Sequence, residues 1–197
     1  MNDKIMRRLA LAFATAVMVM MMAVPAFADT ITATVHFKTF NTNNVTIYDK
    51  WQQPHYTVAK DVSQEVTFNT TGFDSIIPGA TESNHQYMHT PTVMDAIYTA
   101  YMIKNGGTSG WANYWDTSSN PKGTYLYTAF NNTQVTTELS DGHWAGYTWL
   151  LYMNTTSLDS TWNSSSRSGM LPYYGSNVVL QNGDDIYVRY LGASQDY

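Results

Sequence analysis

The sequence contains no cysteine among its 197 residues. Disulfide bonds therefore cannot stabilise the fold, and stability must come from a hydrophobic core, a ligand or neighbouring subunits. Basic residues are also scarce, with ten Lys and Arg against fifteen Asp and Glu. The Lys and Arg residues are scattered and form no stripe that could follow a phosphate backbone, so the sequence predicts no nucleic-acid partner.

Catalytic motifs are missing as well. The chain has no Gly-x-Ser-x-Gly elbow, no phosphate-binding loop and no dinucleotide fingerprint. Ser140, Asp141 and His143 are the residue types of a catalytic triad, but neighbours on one polar loop cannot face one another as nucleophile, base and orienting acid. We therefore predict that the protein is not an enzyme, with a glycan hydrolase as the alternative.

Metal-binding patterns are equally weak. His85 and His89 have the spacing that brings two imidazoles together on a helix, but they precede the helix that is predicted to begin after Thr92. Several carboxylates lie in turn-like segments without the alternating ligands of a calcium loop: Asp116, Asp141, Asp184 and Asp185. The sequence predicts no metal site.

The longest apolar run, residues 9–24, follows a basic start of three Lys and Arg residues. It is too short to favour a membrane-spanning helix, and residues 26–28 (Ala-Phe-Ala) match a signal-cleavage site. Residues 1–28 are therefore predicted to be a signal peptide, which places the protein outside the cell, either secreted or at the cell surface. Residues 29–197 would form a single domain without a transmembrane segment, with seven basic and fourteen acidic residues.

Apolar and polar residues alternate in the segment Thr30–Phe40, where every second residue from Ile31 to Phe37 is apolar. This pattern predicts a half-buried strand. Three short strand candidates follow, the first as the return strand of a hairpin: residues 45–48, 56–59 and 65–68.

A helix is indicated by Thr92 and Asp95, which have the spacing of a capping box. Asn105 and two glycines mark its end. The apolar residues of one face recur at helical spacing: Val93, Ala96, Ile97, Ala100 and Tyr101.

Strands dominate the rest of the chain. The residues favour strands at 124–130 and 146–154, and a final hairpin of residues 177–181 and 184–190 joined by Asn182-Gly183. The intervening segments, residues 106–123, 131–143 and 155–168, are polar and are predicted to be loops. One helix packed on a mixed sheet gives an α+β fold.

Aromatic residues make up 14% of the chain, and several fall in these loops. Exposed rings stack on sugars, corrinoids or protein partners, whereas rings that fold back would act as lids on the core. Both interpretations are open for the loop residues, while Trp149 and Tyr152 are predicted to be buried. The predicted ligand-binding residues are Trp111, Tyr114, Trp115 and Trp144.

Residues 92–97, 146–154 and 179–190 together resemble the transcobalamin-like C-terminal domain family of secreted bacterial domains of unknown function. The resemblance implies a β-grasp-like mixed sheet with one main helix across residues 29–197. It also raises cobalamin as a ligand, although the residues themselves predict no cofactor. The long Ser- and Thr-rich loop after Asn154 departs from the family pattern.

We therefore expect a secreted, non-enzymatic binding module whose exposed aromatic loops contact a small molecule, a glycan or a protein at the cell surface. The alternative is a structural subunit of a surface fibre, layer or matrix. In that case the strand Thr30–Phe40 would pair with the sheet edge of a neighbouring copy.

Overall fold

A computed structural model describes residues 30–40, 58–138, 143–158, 160–172 and 174–196. The predicted signal peptide and the predicted return strand at residues 45–48 lie outside these ranges. No helix within them is long and apolar enough to cross a membrane. The elements are β1 (Thr30–Phe40), β2 (Val58–Asn69), α1 (Val93–Asn105), β3 (Ala112–Asp116), β4 (Gly123–Ala129), β5 (Asn132–Thr133), β6 (Val135–Glu138), β7 (His143–Met153), β8 (Gly169–Met170), a 3₁₀ turn (Gly175–Asn177) and β9 (Asp184–Asp196).

The main sheet has the strand order β2-β1-β9-β7-β6, with β8 paired to one end of β7. β1 is antiparallel to β2 and parallel to β9, and β9 is antiparallel to β7. A mixed sheet with one helix confirms the predicted α+β class. Because β1 has a neighbour on each side, the predicted pairing of this strand with another copy would require β2 or β9 to be displaced.

The alternation in β1 is confirmed. Ala33, Val35 and Phe37 are at most 1% exposed and form the middle of the core, together with the apolar face of α1. The residues between them point to the other face of the sheet, because successive side chains of a strand alternate.

The capping box of α1 is also confirmed. The Asp95 N–H donates to Thr92 Oγ1 at 3.4 Å, and the Thr92 N–H donates to Asp95 Oδ2 at 3.0 Å. Gly106 ends the helix in the left-handed conformation, with a φ of 71°. The predicted apolar face is fully buried: Val93, Ala96, Ile97, Ala100 and Tyr101.

Two of the predicted loops contain strands. β3 lies within residues 106–123 and joins β4 and β5 in a second, three-stranded sheet, while β5 and β6 both lie within residues 131–143. Tyr114 is the register partner of Tyr125, and Trp115 that of Thr124. Cross-strand pairs of aromatic and β-branched residues stabilise a sheet, and here they outweigh the flanking Gly and Ser residues.

The predicted C-terminal hairpin is wrong. Gly183 does form a turn, but residues 177–181 run past the start of α1, where Val178 O accepts the Val93 N–H at 2.9 Å. The first N–H groups of a helix have no partner inside it, so this contact satisfies one of them. Residues 58–69 likewise form the single strand β2 where two short strands were expected.

The strand predicted at residues 146–154 is confirmed as β7. Trp149 and Tyr152 are 6% and 2% exposed, which confirms their predicted burial. They lie on opposite faces, so β7 is covered by the core on one side and by the loop after it on the other.

Candidate functional site

A groove of about 350 Å³ lies on the face of the main sheet opposite α1, and we call it the outer-face groove. It is lined by residues of β1, β2 and β9, with Thr156 and Leu158 of the loop after β7 as one wall. Two rows of register partners cross the sheet beneath it. The first row is Ser63, His36, Tyr187 and Tyr152, and the second is Asp61, Lys38, Arg189 and Leu150.

Strand alternation explains how these rows form. β1 and β9 give their apolar residues to the core, so their polar and aromatic residues fall on the outer face. The parallel pairing places His36 beside Tyr187 and Lys38 beside Arg189. The polar positions of both strands are visible in the sequence, but nothing local shows that the first and last strands are neighbours.

The first row contains a stacked pair. The rings of His36 and Tyr187 have centroids 4.5 Å apart and are tilted by 11°. His36 Nδ1 lies 2.7 Å from Ser63 Oγ, and its Nε2 lies 3.4 Å from Asp185 Oδ1. These contacts hold the imidazole flat against the tyrosine, so the floor of the groove presents a fixed aromatic surface.

Ser63, His36 and Asp185 are also the residue types of a catalytic triad. The 3.4 Å contact to Asp185 is longer than an ordinary N–H···O hydrogen bond. Ser63 lies within the regular strand β2 rather than on a sharp turn where its hydroxyl would meet backbone donors. The row therefore resembles a binding surface more closely than a nucleophilic site.

Arg189 is the deepest charged residue of the second row, at 6% exposure. Its Nη2 donates to Thr156 O at 2.6 Å, and its Cζ lies 4.9 Å from the Tyr152 ring centroid and 5.6 Å from that of Tyr187. Burial lowers the pKa of Arg189 from its ordinary value, because a charged group is disfavoured away from water.

Lys38 lies nearer the rim of the groove. Its Nζ is 3.4 Å from Asp61 Oδ2, and the two side chains are 37% and 58% exposed. An exposed pair of this kind is screened by water, so the Lys38 ammonium remains available to a ligand.

The wall of the groove is fixed to β9. The Asn154 N–H donates to Asp185 O at 2.8 Å, and Asn154 Oδ1 accepts the Asp185 N–H at 2.8 Å. Farther along the same loop, Arg167 Nη2 donates to Asp184 Oδ2 at 2.8 Å. These bonds hold the loop in place over the groove before any ligand arrives.

Trp111 and Trp115 are partly buried against the core. The Trp111 ring lies 5.0 Å from that of Tyr98, and its indole N–H donates to Asn113 Oδ1 at 2.9 Å. The Trp115 N–H donates to Pro78 O at 2.9 Å. Both indoles therefore cover part of the core, which is the second of the two interpretations that the sequence left open.

Tyr114 and Trp144 lie elsewhere. Tyr114 is 58% exposed, and its ring centroid lies 5.5 Å from that of Tyr125 on the outside of the small sheet. Trp144 is part of β7, opposite Gln195, but its side chain is outside the described part of the structure. We call one group of four residues the tyrosine surface: Tyr114, Tyr125, Tyr127 and Tyr174.

His85 and His89 precede α1, as expected, and have different surroundings. His85 is 1% exposed, and neither ring nitrogen has a hydrogen-bond partner in the described residues. Its pKa is lowered by burial. The exposed His89 contacts Asp74 at 2.6 Å and Glu82 at 2.7 Å, and the hydrogen bonds to these carboxylates raise its pKa. No cluster of three metal-ligating side chains occurs in the described ranges.

The carboxylates predicted to lie in turns accept hydrogen bonds from protein groups where they are described. Asp116 accepts hydrogen bonds from Ser119, Tyr174 and Ser118, and these bonds lower its pKa. Asp184 accepts the Gln181 N–H at 2.8 Å within the turn before β9. Ser140 and Asp141 lie outside the described residues.

The outer-face groove does not fit a corrinoid. Its volume of about 350 Å³ is at the lower end of the range for pockets that enclose drug-sized ligands, and a corrinoid with its nucleotide tail is much larger. We therefore derive no role for the chain through cobalamin. Comparison with protein-family models, with curated proteins and with solved structures found no significant match to this chain.

Proposed function

We propose that this chain is an exported, non-enzymatic binding module that holds a small ligand in the outer-face groove. The observation that carries the proposal is the groove itself, where the stacked His36–Tyr187 pair and the buried Arg189 meet. Concave sites that combine aromatic walls with a few fixed polar groups are typical of small-molecule binding. The groove replaces Trp111 and Trp115 as the proposed site, because their indoles are packed against the core.

We also propose that the main sheet is of the β-grasp type. An initial hairpin, one helix after it, and a last strand parallel to the first support this assignment. The resemblance to the transcobalamin-like C-terminal family likewise remains a prediction.

The binding proposal is tested by an NMR titration of residues 29–197 with a panel of small organic molecules and oligosaccharides. Leu158→Trp should fill the groove and abolish the chemical-shift changes in β1 and β9. Ile103→Trp adds a ring at an exposed position of α1, where the native side chain is 54% exposed, and should leave binding intact. Binding that survives Leu158→Trp but is lost in Tyr114→Ala would move the site to the small sheet.

The absence of catalysis is tested separately. Hydrolysis of p-nitrophenyl acetate should proceed at the same rate with the native protein and with Ser63→Ala. A faster native rate that disappears in Ser63→Ala and His36→Ala would instead identify the first row as a hydrolytic site.

A second candidate function is a structural subunit, for which the tyrosine surface is the supporting observation. Tyr114 and Tyr127 are 58% and 40% exposed, and tyrosine is enriched where proteins contact one another. Light scattering at rising protein concentration tests this candidate. Assembly that is lost in Tyr114→Ser with Tyr127→Ser would support it, whereas a monomer at every concentration would exclude it.

A further inference from the structure

The charge balance of the outer-face groove identifies the class of ligand. Arg189 is a cation with only 6% exposure, and no carboxylate of the described residues lies within ion-pair distance of it. Burying a charge is costly unless it is paired and hydrogen-bonded. Its described partners are the neutral Thr156 carbonyl and two tyrosine rings, none of which neutralises it.

The guanidinium is also held in one orientation. Thr156 O takes one of its N–H groups, and the rings of Tyr152 and Tyr187 lie against its carbon at 4.9 and 5.6 Å. A planar guanidinium has five N–H donors, and its fork matches the two oxygens of a carboxylate or of a phosphate or sulfate group. Ordering it in advance reduces the entropy that binding would otherwise cost.

The rest of the groove limits the ligand to one anionic group on a flat body. Lys38 offers a second cation near the rim, but Asp61 lies 3.4 Å from it and disfavours a highly charged anion. The stacked rings of His36 and Tyr187 offer an aromatic face beside Arg189. Arg189 and Tyr187 both line the cavity of about 350 Å³, which has room for a small molecule only.

We infer that the outer-face groove binds a small organic monoanion, with Arg189 as the receptor for its oxyanion group and Tyr187 as the surface for its planar body. Lys38 assists at the rim. This inference rests on the proposed binding function and gives that function its ligand class.

The experiment measures dissociation constants by NMR for three monoanions, benzoate, benzenesulfonate and methyl phenyl phosphate, with benzamide as the neutral counterpart of benzoate. At least one anion should perturb the amides of β1 and β9 and bind about tenfold or more tightly than benzamide. Arg189→Gln should weaken binding of that anion about tenfold to a hundredfold, as expected for the loss of a charge-assisted hydrogen-bonded pair. Comparison of the three anions shows which oxyanion group the Arg189 guanidinium prefers.

Lys104→Gln is the matched control, because it removes one positive charge from the exposed end of α1. It should leave the affinity for the anion unchanged. Folding of Arg189→Gln is checked by its NMR spectrum, since Arg189 also holds Thr156. If that variant does not fold, Lys38→Gln serves instead and should weaken anion binding about threefold without changing benzamide binding.

Two results would overturn the inference. If none of the three anions binds in the groove more tightly than benzamide, charge is not recognised, and the proposed binding function stays in place. If no probe and no panel ligand perturbs the groove, both the inferred ligand class and the proposed binding function are contradicted.

Discussion

Asp95 connects α1 to the loop that precedes it, through a hydrogen bond in which Ser75 Oγ donates to Asp95 Oδ1 at 2.7 Å. The other carboxylate oxygen of Asp95 accepts the Thr92 hydroxyl at 2.6 Å and the Thr92 N–H. Thr92 and Asp95 are both fully buried. One carboxylate therefore caps the helix and also holds Ser75 and Ile76 of the preceding loop, whose hydroxyl and N–H both donate to Asp95 Oδ1.

Thr92→Ala should lower the free energy of unfolding by about 1–2 kcal/mol, because the helix loses its capping hydroxyl and Asp95 loses a donor. Thr92→Ser keeps the hydroxyl and should cost less than about 1 kcal/mol. Urea denaturation followed by circular dichroism measures both. Equal losses for Ala and Ser would show that the methyl group, and not the cap, supplies the stability.

The ion pair between Arg167 and Asp184 is the buried one among the described residues, with side-chain exposures of 23% and 5%. Asp184→Ala leaves Arg167 without its partner and should destabilise the protein by about 3–5 kcal/mol. Asp61→Ala breaks the exposed pair with Lys38 and should change stability by less than about 1 kcal/mol. Chemical denaturation of the two variants side by side makes the comparison, and similar losses would contradict it.

Gly169 cannot accept a side chain. Its φ is 121°, and an added Cβ would lie 2.1 Å from the Thr161 carbonyl oxygen. We expect Gly169→Ala to cost about 3 kcal/mol or more, from the clash and the backbone strain together. Gly72 has a φ of 67° with open space around it, so Gly72→Ala should cost only about 1 kcal/mol. Thermal melts should separate the two variants clearly.

The two histidines before α1 should give stability opposite dependences on pH. Burial lowers the pKa of His85 in the folded state, so its contribution is complete above the unfolded pKa of about 6.5 and is lost as the pH falls below it. Asp74 and Glu82 raise the pKa of His89, so its contribution is complete below about 6.5 and is lost as the pH rises through the raised value.

Urea titrations from pH 5 to pH 8 test this assignment. His85→Phe should flatten the loss of stability on the acid side, and His89→Gln should flatten the loss on the alkaline side. Each variant is the control for the other. An unchanged acid slope in His85→Phe would show that another group takes up the proton.

The sequence predicted the features that depend on neighbours in the chain. The capping box at Thr92, the alternation of β1 and the aromatic strand β7 are each decided by residues a few positions apart, and all three are confirmed. The hairpin at residues 177–190 was wrong because Asn-Gly signals a tight turn without showing what its two arms pair with. Residues 177–181 are held by the start of α1, and β9 is held by β1 and β7.

The groove could not be predicted for the same reason. His36 and Arg189 are polar residues of two separate strands, and only the parallel pairing of β1 with β9 brings them together. For Trp111 and Trp115, which are surrounded by Gly, Ser and Asn, the sequence left exposure and packing on the core equally open. Their partial burial depends on contacts with Tyr98 and Pro78, which lie in other segments of the chain.

The position of β9 between β1 and β7 has a consequence for how the sheet is assembled. Val35 and its register partner Ile186 come from near opposite ends of the described chain, so the pairing of β1 with β9 joins segments that are far apart in sequence. Without residues 184–196, β1 and β7 would each expose a row of unpaired backbone groups to which another chain could attach. The pairing of β9 with both strands therefore protects these two edges from pairing with another chain.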